Sequence, residues 1–259
     1  MMLRRRLVDY HIHSNNSCDG RSPIFKMCQK AVELGIGEIG FSDHIDFEPK
    51  DSGFGFFNYQ RYTAEIEDAQ RFFENKLIIH KGIEIDYQHY FEEDIRTRLR
   101  NMRFDYIIGS IHYLNHELID SKMLAEKDVN EVYNAYFDEV IHSIRSGLFS
   151  VVGHFDLVSR YNNKSKRARD TDYWLEVESI LREIIRRRMY LELNAKGLRG
   201  EGNIIVPSKE ILEKYIDSGG NRFSVGSDAH SADEVGCGIR EMLSSLTGFG
   251  SKVELLFES

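Results

Sequence analysis

Short apolar runs alternate with longer amphipathic stretches along this chain. The runs beginning near Leu7, Ile36, Leu77, Phe104, Ser150, Tyr190 and Arg222 read as strands, spaced 27 to 46 residues apart. Each interval holds one strand, one helix and their loops, which is the rhythm of repeated β/α units. The amphipathic stretches predict helices over Pro23–Leu34, Tyr59–Glu74, Glu92–Met102, Asn130–Ser146, Asp172–Arg188, Pro207–Ser218 and Ala232–Leu246. Pro23 and Pro207 are expected in first helical turns, where a missing N–H costs nothing. Gly35, Gly147 and Gly219 follow helical patterns, as left-handed C-terminal caps would. The units do not repeat in sequence and no linker separates them. A single barrel-like α/β domain over residues 1–259 is expected, with an open doubly wound sheet as the alternative.

Polar residues fall at the same place in unit after unit. Strand one ends in Asp9-Tyr10-His11-Ile12-His13, strand two in Ser42-Asp43-His44 and strand three in Glu84-Ile85-Asp86. Strand four ends in Ser110-Ile111-His112 and strand five in Gly153-His154-Phe155-Asp156. Strand six carries Glu192-Leu193-Asn194, and strand seven ends in Ser227-Asp228-Ala229-His230. In a parallel barrel these ends converge on one face, where active sites are built. His11 and His13 are two apart, so both leave the strand on the same side, as do Asp228 and His230. Six of the ten histidines (11, 13, 44, 112, 154 and 230) lie at such ends. With Glu84 and Asp228 they form a ligand mix suited to zinc, manganese or iron. Glu84 is the best candidate for a carboxylate bridging two ions, the arrangement used for hydrolytic displacement. His80, His89, His116 and His142 are expected to be structural, although His89 and His116 lie on the active face.

Composition narrows the function. The 259 residues are 41% hydrophobic and 29% charged, an ordinary soluble profile that argues against intrinsic disorder. The 34 basic and 42 acidic residues leave a net charge of −8, which argues against broad binding to nucleic acid or an anionic membrane. No apolar run reaches the length of a membrane helix or a secretory signal. Cys18, Cys28 and Cys237 are an odd number without zinc-ribbon spacing, so a reducing cytoplasm is expected.

These motifs, taken together and in order, resemble the polymerase and histidinol phosphatase (PHP) family of metal-dependent phosphoesterases. The resemblance rests on Asp-x-His-x-His at 9–13, Ser-Asp-His at 42–44, Gly-x-Glu at 82–84, His112, Gly-His-x-Asp at 153–156 and Ser-Asp-Ala-His at 227–230. It implies a distorted (β/α)7 barrel and a centre of two to three divalent transition-metal ions. By motif, His11, His13, Glu84 and Asp228 should hold the first ion, and Glu84, His112 and His154 the second. His44 and His230 should hold the third, with Asp19 standing where some members have histidine. Within the family the chain is most similar to the stand-alone histidinol-phosphate phosphatases, on the runs His154–Arg160 and Glu192–Arg199. That branch implies hydrolysis of a small phosphorylated substrate, L-histidinol phosphate, with Arg160 and Arg199 gripping the phosphate.

Glu84, Asp228, His230 and Asp156 are the expected catalytic groups. Asp156, Asp43 and Asp9 are candidate acids; for Asp9 and Asp43 the preferred role is to fix a ligand imidazole by a hydrogen bond. Arg160, Lys164, Lys166, Arg167 and Arg169 could draw in an anionic substrate. The run Phe54–Phe57 is either a cover for an imidazole ring or packing at a core or subunit contact, which leaves a homo-oligomer open. Competing readings are another PHP-type phosphoesterase, a metal-dependent amidohydrolase on a related barrel, and a non-catalytic metal-binding module.

Overall fold

A computed structural model describes residues 6–161, 171–199, 204–248 and 253–258. Its strands are β1 (Val8–Ile12), β2 (Glu38–Phe41), β3 (His44–Ile45), β4 (Ile78–Asp86), β5 (Tyr106–Ser110), β6 (Tyr113–Leu114), β7 (Glu117–Leu118), β8 (Val151–Val152), β9 (Tyr190–Asn194), β10 (Arg222–Gly226) and β11 (Glu254–Leu255). Its helices are α1 (Ile24–Glu33), α2 (Tyr59–Phe73), α3 (Glu92–Leu99), α4 (Ser121–Glu126), α5 (Val129–Ser146), α6 (Leu157–Tyr161), α7 (Thr171–Arg186), α8 (Lys209–Asp217) and α9 (Ile239–Thr247). The main sheet runs β1-β2-β4-β5-β8-β9-β10-β11, with β3 extending the pairing along β4, and its neighbours are parallel. The β6–β7 pair is a separate antiparallel hairpin.

The sheet curls until β10 returns to β1. Asp228 N donates to His11 O and His13 N donates to Ala229 O, both at 2.8 Å. At its other end β10 pairs with β11, through Arg222 and Phe223. The strand therefore changes partner along its length, which distorts the barrel. A Cβ on Gly226 would stand 2.2 Å from His11 Cβ, so the seam closes only because this position has no side chain. Inside the barrel, Gly40 and Gly82 leave room for the Tyr106 ring, whose hydroxyl reaches the carbonyls of Tyr10 at 2.7 Å and Phe41 at 3.2 Å. Phe257 packs against Tyr10, His80 and Tyr106.

The predicted strands correspond to β1, β2, β4, β5, β8, β9 and β10. The two-residue strands β3, β6, β7 and β11 and the short helices α4 and α6 offer too few positions for a periodic pattern. Gly35, Gly147 and Gly219 take left-handed φ values of +71°, +69° and +93° after their helices, as expected of caps. The two proline expectations need correction. Pro23 is the residue capping α1, and Pro207 precedes Ser208, whose side chain caps α8 by accepting from Ile211 N. Helix α9 starts well after Ala232, because Ala232–Glu234 forms a 3₁₀ turn and Gly236 and Gly238 take φ of +75°. Among the described residues no helix is long and apolar enough to cross a membrane.

Candidate metal centre

The C-terminal strand ends bring the predicted ligands to one buried centre. Glu84, on β4, is its hub. Glu84 Oε2 lies 3.2 Å from His11 Nε2, 3.4 Å from His13 Nε2 and 3.2 Å from His44 Nδ1. Glu84 Oε1 lies 3.2 Å from His154 Nε2 and 3.8 Å from His112 Nε2, and accepts from Ser110 Oγ at 2.5 Å. Burial alone would raise the Glu84 carboxyl, but the charges of His11 and His44 outweigh it and hold it well below the usual carboxylate range.

Asp228 faces the same space from the turn after β10. Its Oδ1 is 3.5 Å from His13 Nε2 and 4.0 Å from His11 Nε2. Burial again opposes ionisation there, and Lys196 and His11 overcome it. Burial and the charges of His44 and His230 keep His13 well below its ordinary value, in the neutral form that ligates a metal.

Donor atoms fall into three groups, each spanning no more than 4.8 Å: His11, His13 and Asp228; Glu84, His112 and His154; and His13, His44 and His230. The buried nitrogens His11 Nε2, both ring nitrogens of His13 and His44 Nδ1 have no hydrogen-bond partner. The Nε2 atoms of His112 and His154 face each other at 3.0 Å. Ring nitrogens crowded together beside ionised carboxylates, several of them without a hydrogen-bond partner, are costly to bury without a cation between them. This donor set suits two to three divalent transition-metal ions. Asp19 lies at the rim, 47% exposed, with Oδ2 2.9 Å from His230 Nε2 and 3.9 Å from His44 Nε2.

The structure assigns Asp9 and Asp43 different work from that expected. Asp9 accepts from the backbone of Ser227 at 2.8 Å and Gly236 at 2.9 Å, tying β1 to the loops after β10. Asp43 accepts from Ser14 N, Ser14 Oγ and Ser17 Oγ, each at 2.8 Å, and burial pushes its carboxyl up to about 6. Both carboxylates thus hold loops in place where imidazole partners were expected. The imidazole partner is Glu192 on β9, whose Oε1 meets His11 Nδ1 at 2.5 Å and whose Oε2 accepts from His154 N at 2.5 Å. That contact turns the other nitrogen of His11 toward Glu84. The period-two pair Glu192 and Asn194 carried this signal, by the same alternation that placed His11 beside His13.

Asn194 links Arg160, the Lys196 backbone and Asp228. Its Oδ1 accepts from Arg160 Nη2 at 2.9 Å and Lys196 N at 3.0 Å, and its Nδ2 donates to Asp228 Oδ2 at 3.1 Å. Arg160 Nη1 reaches within 3.9 Å of Asp228 Oδ2. Lys196, unremarked in the sequence, places Nζ 3.1 Å from Asp228 Oδ1 and 3.4 Å from His230 Nε2. Arg199, expected to grip the phosphate, is engaged with the backbone beside Asp228. Its Nη1 and Nη2 donate to the carbonyls of Ser227 at 2.6 Å and Asp228 at 2.7 Å. These bonds brace the turn in which Asp228 takes a left-handed φ of +55°.

Asp156 is buried at the turn from β8 into α6, with φ of +72°, and its carbonyl accepts from Ser159. Lys164, Lys166, Arg167 and Arg169 lie outside the described residues. In the aromatic run, Phe57 is buried against Tyr62, while Phe54 and Phe56 are exposed. His80 stacks on Phe257, and His116 Nδ1 lies 2.6 Å from Glu48 Oε2.

The PHP domain matches residues 9–196, and the chain belongs to this family, whose barrel is the curled parallel sheet seen here. It is 26% identical over 254 residues to a protein of Deinococcus radiodurans named probable histidinol-phosphatase, covering 95% of each chain. It is 28% identical over 232 residues to the histidinol-phosphatase of Lactococcus lactis, covering 87% of this chain and 84% of that one. Its fold is similar to the crystal structure of histidinol phosphate phosphatase from Lactococcus lactis complexed with zinc, L-histidinol and phosphate. There the TM-score is 0.84 at 23% identity, over 97% of this chain and 95% of that one.

Proposed function

We propose that this chain is a metal-dependent phosphomonoesterase that hydrolyses L-histidinol phosphate to L-histidinol and phosphate, a step of histidine biosynthesis, acting in the cytoplasm as one barrel domain. The observation that carries the reading is the pair of cations at the edge of the clustered imidazoles and carboxylates, the Arg160 guanidinium held by Asn194 and the Lys196 ammonium beside Asp228 and His230. Relatives aligned over nearly the whole chain and named for this activity supply the substrate.

In this reading His11, His13, Glu84 and Asp228 hold one ion, Glu84, His112 and His154 a second, and His44, His230 and Asp19 a third. Such ions supply Lewis-acid charge at a phosphoryl group and lower the pKa of bound water to about 7. Arg160 contributes a planar fork that matches two phosphoryl oxygens, and Lys196 a point charge on a flexible stem. Glu192, against His11 Nδ1, fixes the ring with Nε2 turned toward the metal position before substrate arrives. Arg199 braces the turn that presents Asp228. The alkoxide of histidinol is a poor leaving group and needs a proton, for which the Asp156 carboxyl is our candidate.

The test is phosphate release from a panel of phosphorylated compounds by the metal-loaded protein. A preference for histidinol phosphate by orders of magnitude in kcat/KM is expected. A flat profile, or preference for a nucleotide, would remove the substrate and leave the phosphoesterase. Ammonia release without phosphate release would point to an amidohydrolase.

A further inference from the structure

A second group of metal-ligating side chains lies apart from the centre described above, between the 3₁₀ turn His89–Phe91, which follows β4, and helix α5. It comprises His89, Glu139 and His142, with one donor atom from each inside 4.8 Å. Glu139 and His142 are three residues apart on α5, a spacing that stacks both side chains on one helical face. The Glu139 side chain is only 10% exposed, unusual for a carboxylate on a surface helix, and is held in one orientation. Its Oε2 accepts from His89 N at 3.0 Å, and its Oε1 meets His89 Nδ1 at 2.6 Å. The rings of His89 and His142 lie 5.4 Å apart, centroid to centroid.

We propose that His89, Glu139 and His142 form a peripheral binding site for a zinc-like divalent transition ion. Two imidazoles and one carboxylate are the donors such an ion prefers, and three protein ligands leave its fourth position to water. Both histidines are exposed, so the ion has an open path and a solvent ligand. Bond lengths near 2.0–2.1 Å place tetrahedral donors about 3.3 Å apart. The His89–Glu139 hydrogen bond therefore opens by less than an ångström as the ion replaces its proton. The hydrogen bond from His89 N to Oε2 leaves Oε1 on His89 Nδ1, with a donor atom of His142 inside 4.8 Å. The ion would clip the turn after β4 to α5, joining the segment behind Glu84 to the outer helical layer. This site is independent of the proposed phosphatase activity.

The test is zinc binding by the full chain, followed by equilibrium dialysis with elemental analysis and by thermal unfolding at graded free zinc. The parent should bind one more equivalent than His142→Ala, at free zinc above that which fills the central sites. His89→Ala and Glu139→Gln should lose the same equivalent. With zinc about 100-fold above the dissociation constant of this site, the parent should melt about 5–10 °C higher than the same protein with the site unfilled. His142 is exposed, so its alanine variant should fold and fill the central sites as the parent does. Superimposable isotherms for the parent and His142→Ala would overturn the proposal. So would loss of the extra equivalent in His142→Ala but in neither His89→Ala nor Glu139→Gln.

Discussion

Arg160, Lys196 and Arg199 all reach Asp228, yet their alanine variants should fail in different ways. Arg160→Ala should leave metal content unchanged and cost about 2–4 kcal/mol of transition-state binding, roughly 30- to 1,000-fold in kcat/KM. Lys196→Ala should cost less, about 1–2 kcal/mol, because its side chain is 40% exposed and screened by water. Unchanged phosphomonoesterase kinetics in both variants would end the phosphate roles. Arg199→Ala should instead free the carbonyls of Ser227 and Asp228, so that bound metal and melting temperature fall together. Full metal content with raised KM alone would return Arg199 to the phosphate. Asp156→Asn separates proton delivery from binding. With histidinol phosphate kcat should fall about 10²- to 10⁴-fold, whereas p-nitrophenyl phosphate, whose leaving group needs no proton, should be nearly unaffected. Equal losses on both substrates would remove Asp156 as the acid. The ligand types and their strand-end positions were legible because alternation puts residues two apart on one side. The direction of a long side chain was not, since the run Lys196–Arg199 offers two cations and only packing decides which head turns inward.

The seam between β1 and β10 is the element on which the centre depends. It brings His11 and His13 beside Asp228, and it closes through Gly226. Gly226→Ala should force Cβ against His11 Cβ, costing about 1–3 kcal/mol and weakening the His11, His13 and Asp228 group. Gly248→Ala, where the nearest atom to a new Cβ is 3.9 Å away, is the control. Equal metal content and melting temperature in the two variants would show that the seam yields without consequence. The strands of this seam read clearly as apolar runs. The end of β10 did not disclose its partner, because pairing with β11 at Arg222 and with β1 near Gly226 is a property of curvature. Helix α9 was read too long for a local reason: its amphipathic pattern runs through Gly236 and Gly238, whose positive φ breaks the helix.

Across the whole molecule, the centre couples seven strands to one charge cluster, so removing its ions should be felt everywhere. Stripping with a strong chelator should abolish phosphate release and lower the melting temperature, and both should return with two to three equivalents of zinc, manganese or iron. Full activity with one ion or none would defeat a multinuclear centre. Glu84→Ala should lose two equivalents where variants of ligands in a single group, such as His154→Ala, lose one, because the two Glu84 oxygens face separate groups of imidazoles. The order of apolar and polar positions by itself determined the β/α rhythm, the strand ends that carry imidazole and carboxylate, and the resemblance to the PHP family. Those features are periodic or local, and a chain displays them without folding. Tertiary structure alone decided that Glu192 orients His11, that Asn194 holds Arg160 and Asp228 holds Lys196, that Arg199 braces a backbone turn, and that His89 meets Glu139 and His142. Each of these is a contact between distant segments or a choice of side-chain direction, set by how the sheet curls and what space its neighbours leave.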